Sequence, residues 1–255
     1  MDAREKFQPC LSLALFLAAG LQASGLEQQT WTGRYPLPPA GRLAVENVQG
    51  NIRVEGWDRS EVEITVIKTA LSPASRLDDV RVAVEFGYHA LAVQTVYLGE
   101  SREPVRVDYR VRVPRQVRLD SLRTVVGDVA VRNVEGTVSA RTLSGNIEAM
   151  DVSGSVGARA VNGSIVASIR ALADAAGPVE LETVSGNIDL VLPSRPNANL
   201  ELSTVAGKIV GKYVFVASRV PGDHTRRARL GRGGVQVRLR TVRGTIRVAE
   251  QEEVL

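Results

Sequence analysis

Between Lys208 and Arg247 the chain carries eleven Lys or Arg residues and a single acid, Asp223. Arg226, Arg227 and Arg229 lie close together, and Arg238, Arg240 and Arg243 follow. Residues two apart in a strand project from one face, so Arg238 and Arg240 are expected to stand together. Clustered guanidinium groups attract anions. These six arginines are therefore the candidate site. An anionic envelope glycan, a lipid headgroup or an acidic protein is the candidate partner. A solubilising basic surface is the plainer reading of the same residues. Nucleic acid is not expected, because single-strand binding uses stacking aromatics and Phe, Trp and Tyr make up only 4% of this chain.

Catalytic and metal chemistry finds little to use. Soft-metal sites need clustered His, Cys or carboxylates. The histidines, His89 and His224, are far apart, and the one cysteine, Cys10, lies near the start. A nucleophilic Ser needs a His and a carboxylate close by. Asp223-His224-Thr225 is the one local hint, and it reads as a polar loop. No G-x-S-x-G elbow, Lys-bearing phosphate loop or dinucleotide fingerprint occurs. Glu148, Asp151, Glu180, Glu182 and Asp189 are scattered. A carbohydrate-active enzyme on a β-helix scaffold is the alternative, and it needs two such carboxylates in one groove. Calcium-binding β-rolls need paired Gly and an Asp in every repeat. Here the residues after successive Gly are Asp128, Thr137, Asn146, Ser155 and Ser164. No cofactor, metal or enzyme activity is expected.

The elements that carry these residues follow from a repeat. One phrase occurs nine times: aliphatic, any residue, Gly, any residue, Val or Ile. Its copies begin at Val48, Val125, Val134, Leu143, Val152, Val161, Val184, Val205 and Val242. Gly127, Gly136, Gly145, Gly154 and Gly163 are spaced nine apart. Counted from each Gly, positions +2, +4 and +7 are apolar or small, as in Val138, Ala140 and Leu143. The residues between are mostly polar. This alternation predicts a strand with one buried and one wet face. Gly marks the turn, where positive φ costs it nothing.

Each unit is thus a short strand and a turn, and one unit cannot bury its own apolar face. The expected fold is all-β: a β-solenoid or β-helix-like stack of roughly nine-residue strand-turn units. A β-meander folded into a sandwich is the alternative. Small residues at +4, Ala140, Ala149, Ala158 and Ala167, favour a narrow solenoid. Arg132, Arg141 and Arg159 all fall at +5. With two units per coil, Arg141 and Arg159 would stack about 4.8 Å apart. Like charges that close are unfavourable unless acids or anions intervene. Long helical periodicity is absent, and the one plausible helix is short, near Ser168 to Ala176.

Residues 1–24 read as a signal peptide, with Arg4 and Lys6 before the apolar run from Leu11 to Leu21. That run is short for a bilayer span, so cleavage is expected, with no transmembrane span afterwards. The protein is expected to be exported: periplasmic, cell-surface or extracellular. Residues 26–41, with Pro36, Pro38, Pro39 and Gly41, read as an extended leader. Residues 42–114 read as an N-terminal β section capping the stack. Residues 115–248 are the β-repeat body, with an irregular basic insertion at 211–232 and a last coil at Val235 to Val248. Residues 249–255 are an acidic tail.

Two features have a specific order. One is the series Thr142-Leu143-Ser144-Gly145, Thr183-Val184-Ser185-Gly186, Thr204-Val205-Ala206-Gly207 and Thr241-Val242-Arg243-Gly244. The other is the strand Val107 to Val113 closing in Pro114, with a later strand ending in Leu192-Pro193. Together they resemble the bacterial putative-adhesin family, β-strand-repeat proteins grouped as a domain of unknown function, over roughly residues 40–248. The resemblance implies an exported β-solenoid-like protein of the cell envelope without catalytic residues. The function expected is a non-enzymatic scaffold or binding protein of the bacterial envelope. An envelope regulatory or sensory accessory protein that docks an anionic partner is the second reading.

Overall fold

The computed structural model describes residues 27–87, 89–98, 105–172, 177–218 and 224–251. The first third holds β1 (Gln28–Pro36), β2 (Arg42–Glu46), β3 (Ile52–Trp57), β4 (Glu61–Ala70), β5 (Val80–Gly87), β6 (Ala90–Tyr97) and β7 (Val105–Pro114). The regular repeats form β8 (Arg118–Val126), β9 (Val129–Arg132), β10 (Val138–Ser144), β11 (Ile147–Ser153), β12 (Val156–Asn162), β13 (Ile165–Ala171), β14 (Val179–Ser185) and β15 (Ile188–Leu192). Then come β16 (Ala198–Ala206), β17 (Ile209–Gly211), β18 (Val216–Ala217), β19 (Thr225–Leu230), β20 (Val235–Arg243) and β21 (Ile246–Glu250).

The strands form a ten-strand sheet, β1-β4-β7-β3-β9-β11-β13-β15-β21-β17, and an eleven-strand sheet, β18-β19-β16-β20-β14-β12-β10-β8-β2-β6-β5. Consecutive repeats alternate between the sheets, so two nine-residue units make one coil. Neighbouring coils pair in parallel, as in Val138↔Val156 and Ile147↔Ile165. This is the expected solenoid, flattened to two faces. Antiparallel pairing is confined to the ends: β1–β4–β7 and β5–β6 at one, β16–β19–β18 at the other. Such strands cover edges that would otherwise offer unpaired N–H and C=O groups.

Chain order and spatial order differ at both ends. In space the coils run β6/β7, β2/β3, β8/β9, β10/β11, β12/β13, β14/β15, β20/β21, β16/β17. The segment Val235 to Val248, expected to be the last coil, therefore sits one place in from the end. Its β20 pairs with β14 on one side and β16 on the other. At the opposite end the first coil, β2/β3, lies between β6/β7 and β8/β9. The leader is itself a strand: β1 pairs along its whole length with β4, from Gln28↔Thr69 to Pro36↔Glu61. The helix expected near Ser168 to Ala176 is not formed over Ser168–Ala171, which is the end of β13. Its β-branched neighbours Ile165, Val166 and Ile169 and its pairing to β11 and β15 decide for strand. Residues 173–176, the signal peptide at 1–24 and residues 252–255 of the tail lie outside the described residues.

The core lies between the two sheets. Positions +2 and +4 point inward and are buried, among them Val129, Val131, Ile147, Ala149, Val156 and Ala158. Ala140, Ala149, Ala158 and Ala167 are each at most 1% exposed. Larger side chains there would overfill a thin interior.

Three rows hold the edge where the chain passes from the eleven-strand to the ten-strand sheet. The first is glycine. A Cβ on Gly145 would stand 2.0 Å from the carbonyl oxygen of Gly127, and its φ is +149°. Close backbone approach, as much as turn geometry, thus demands Gly. The second row is the Thr three residues earlier. Thr142 Oγ1 donates to the Gly127 carbonyl at 3.0 Å, and Thr183 to that of Gly163 at 2.8 Å. Thr124, Thr204 and Thr241 repeat the bond with Gly50, Gly244 and Gly186. The third row is the residue after Gly. The Asn146 N–H donates to Asp128 Oδ1 at 2.7 Å, and the Ser164 N–H to Asn146 Oδ1 at 2.9 Å. The chain of bonds continues through Asn187 to Thr245. The side chains of Asp128, Asn146 and Ser164 are thereby committed to the next coil's backbone.

Candidate functional site

The structure brings three arginines of the basic segment together around one carboxylate. β16 lies between β19 and β20, so Glu201 meets Arg227 at 3.5 Å, Arg238 at 3.7 Å and Arg240 at 3.3 Å. Arg238 also reaches Glu180 at 2.8 Å. Arg243 donates to Ser185 Oγ at 3.0 Å, and Arg229 Nε to the Arg232 carbonyl at 3.0 Å. Arg226 lines a shallow cleft with His224 and Thr204 at the end of the stack. Further along, Arg247 pairs with Asp189 at 3.2 Å and Lys212 with Glu250. The Lys212 ammonium and the Arg195 N–H hold the Glu250 carboxyl below its ordinary range. Exposed ion pairs add little stability, but they cancel much of the local field. Acids from β14, β15, β16 and β21 thus offset a run that reads as strongly basic in sequence.

The catalytic alternatives gain nothing from folding. Glu148 pairs with Arg132 at 2.7 Å in the ten-strand sheet, as Asp189 does with Arg247. Glu180 and Glu182 are paired in the eleven-strand sheet, the latter with Arg159 at 3.0 Å. His89 precedes β6 and His224 precedes β19, at opposite ends of the stack. Asp223 lies outside the described residues. Among the described residues no three His, Cys, Asp or Glu side chains form a group able to hold a metal.

A second surface forms where sequence reasoning set no site. It is the outer face of the eleven-strand sheet beside the three rows described above. Four residues before each Gly, register aligns Glu46, Arg123, Arg141, Arg159, Glu182 and Arg240. Two residues before each Gly stands the aliphatic residue of the repeated phrase. Along this edge it faces solvent: Val48 is 42% exposed, Leu143 48%, Val161 38%, Val184 42%, Val242 43% and Val205 61%. Alternation along a strand puts the two rows on one face. The Thr row lies between them as the floor, and rows and floor line a continuous shallow groove. Arg141 and Arg159 stack as the two-unit coil requires, and Arg123 extends the row.

The same phrase behaves differently on the opposite edge. There Val134 and Val152 are 0% exposed. Asn133 and Asp151, each immediately before its Val, take left-handed φ of 56° and 55°. That local reversal turns the following Val inward. The exposed row escaped sequence reasoning because all nine copies read alike. One signal was available: Asn133 and Asp151 belong to residue types that enter the left-handed region readily. Among the described residues no helix is long and apolar enough to cross a membrane.

Comparison with known proteins gives a family and a set of similar folds. A putative cell adhesion protein from Clostridium sporogenes aligns over 87% of this chain and 100% of its own, with 12% identity and a TM-score of 0.47. A putative adhesin from Bacteroides fragilis aligns over 90% of this chain and 100% of its own, with 13% identity and a TM-score of 0.40. No curated protein sequence matches the chain. The Toastrack model, DUF4097, matches residues 39–249, from just before β2 to within β21. By that match, across nearly all of the described stack, the chain belongs to the Toastrack family.

Proposed function

We propose that the protein is an exported, non-enzymatic β-repeat scaffold that binds, in the manner of an adhesin, at the bacterial cell envelope. One observation carries the reading: the exposed aliphatic row beside a row of arginines along one edge. A contiguous apolar strip of this kind on a folded surface usually marks an interaction site. Stability does not call for it, since the same phrase buries its Val on the opposite edge. The ion-paired carboxylates and separated histidines favour binding over catalysis. The apolar stretch at Leu11 to Leu21 supports export.

Co-sedimentation of the purified protein with a bacterial envelope fraction tests this. It is run at low salt and at about 0.5 M salt, where exposed charges are largely screened. Pelleting that persists at high salt is expected, because the aliphatic row is insensitive to screening. Absence of pelleting at both salt concentrations would overturn the reading.

A further inference from the structure

We infer that the groove between the two rows is a binding site for an anionic amphiphile, a long alkyl chain ending in a carboxylate or phosphate. The inference rests on the binding reading above and names its ligand class. Three features of the groove select that chemistry.

The first is charge. Arg123 and Arg141 stand on adjacent rungs, about 4.8 Å apart, and among the described residues no ion pair or side-chain hydrogen bond engages either guanidinium. Arg159, the next rung, is already paired with Glu182. Two adjacent cations repel each other unless an anion lies between them, and Glu46 lies beside Arg123 on the far side from Arg141. An oxyanion there would accept from both.

The second is the wall. From Leu143 the exposed aliphatics continue through Val161, Val184 and Val242 to Val205, four rung spacings or about 19 Å. An alkyl chain makes no demand on register and can lie along such a row. An extended peptide repeats every two residues, about 6.6 Å, and cannot keep step with rungs about 4.8 Å apart.

The third is the floor. The hydroxyls of Thr124, Thr142, Thr183 and Thr241 are spent on glycine carbonyls of the neighbouring coil. A polyhydroxylated sugar would find few free partners, and no aromatic ring lines the groove for it to stack on. The headgroup would therefore sit at Arg123 and Arg141, with the chain running toward Val205.

Fluorescence titration with 11-(dansylamino)undecanoic acid, and with its uncharged methyl ester, tests the site on the purified protein. Wild type is expected to blue-shift the dansyl emission of the acid and to bind the ester more weakly. Arg123→Gln with Arg141→Gln should weaken the acid about a hundredfold, the loss of two charge-assisted bonds, and leave the ester unchanged. Val161→Thr with Val184→Thr should weaken both probes. Threonine suits exposed strand positions, and an unchanged melting curve checks the fold of each variant. Equal binding of acid and ester, wild-type binding by both variants, or no uptake by wild type would overturn the site. So would binding to phosphatidylglycerol vesicles without uptake of the monomeric probe, since that describes a bilayer surface. If envelope pelleting persists in any of these cases, the scaffold reading stands while the lipid site falls.

Discussion

The two edges of the stack are built from one phrase and treat it in opposite ways. On the edge lined by Gly145, Gly163 and Gly186, the aliphatic residue of the phrase faces water. On the edge lined by Gly136 and Gly154, it is fully buried. Glycine itself is required on both: a Cβ would stand 2.0 Å from a backbone oxygen at Gly145 and 2.2 Å at Gly154. The carbonyl-to-glycine stacking is thus the common architectural element, and the fate of the aliphatic residue is set separately by one left-handed residue. A repeat can therefore keep its framework while devoting one edge to the core and the other to a partner.

The largest effect should fall where the edges agree. Gly145→Val places a β-branched residue at φ +149° against the Gly127 carbonyl. It should cost about 3 kcal/mol or more and prevent folding in the limit. Thermal unfolding followed by circular dichroism would show it, and an unchanged midpoint would remove the close approach on which both edges depend.

The next test uses the end of the exposed edge, where Asn47 stands in place of Thr. Asn47 Nδ2 donates to the Val107 carbonyl at 2.8 Å, and its Oδ1 accepts from Thr95 Oγ1, which also hydrogen-bonds the Tyr109 hydroxyl at 2.6 Å. Burial pushes the Tyr109 hydroxyl up from 10.0 to about 12. The folded state therefore holds its proton where the unfolded state loses it. This contribution is fully present below pH 10 and fades as pH rises toward 12. It should amount to about 3 kcal/mol, and Tyr109→Phe should flatten that part of the stability–pH curve. A slope that survives the substitution would assign it to other groups.

The edges are separated directly by one substitution made twice. Val152→Ala opens space in a filled core and should cost about 2 kcal/mol. Val161→Ala on the exposed row should cost about 0.5 kcal/mol. Equal costs in urea unfolding would contradict the difference in burial. A finer contrast comes from the hydroxyl row, present on the exposed edge. Thr142→Val removes the bond to Gly127 and should cost about 1 kcal/mol. Ala160 interrupts that row between Thr142 and Thr183. Ala160→Thr should restore a rung and stabilise by about 0.5 kcal/mol, and a loss of stability would show that the interruption serves packing.

Much of this fold was legible in the sequence because strand alternation and glycine spacing are local. The nine-residue period, the inward +2 and +4 positions, and the stacking of Arg141 on Arg159 all follow from them. What escaped depends on partners distant in sequence. Glu201 and Glu180 lie outside the basic run, so their meeting with Arg227, Arg238 and Arg240 needs the strand order β19-β16-β20-β14. The exposed row escaped for a different reason. Whether Val134 or Val161 is buried turns on a single backbone reversal that the phrase does not contain.

The place of β20/β21 between β14/β15 and β16/β17 bears on how the molecule is assembled. Both flanking coils precede it in the chain, so stacking cannot simply proceed coil by coil to the end. Residues 198–211 must find a position two rungs away from the coil already built, leaving a slot whose two sides are unpaired until Val235–Glu250 arrives. Filling that slot satisfies four strand edges in one event, so the end of the stack closes as a late, cooperative latch, unlike the stepwise growth of a simple repeat array. Molecules caught before it closes would expose open edges of the kind that seed aggregation. In this protein the vulnerable interval is a step in folding, and the finished stack no longer exposes that slot.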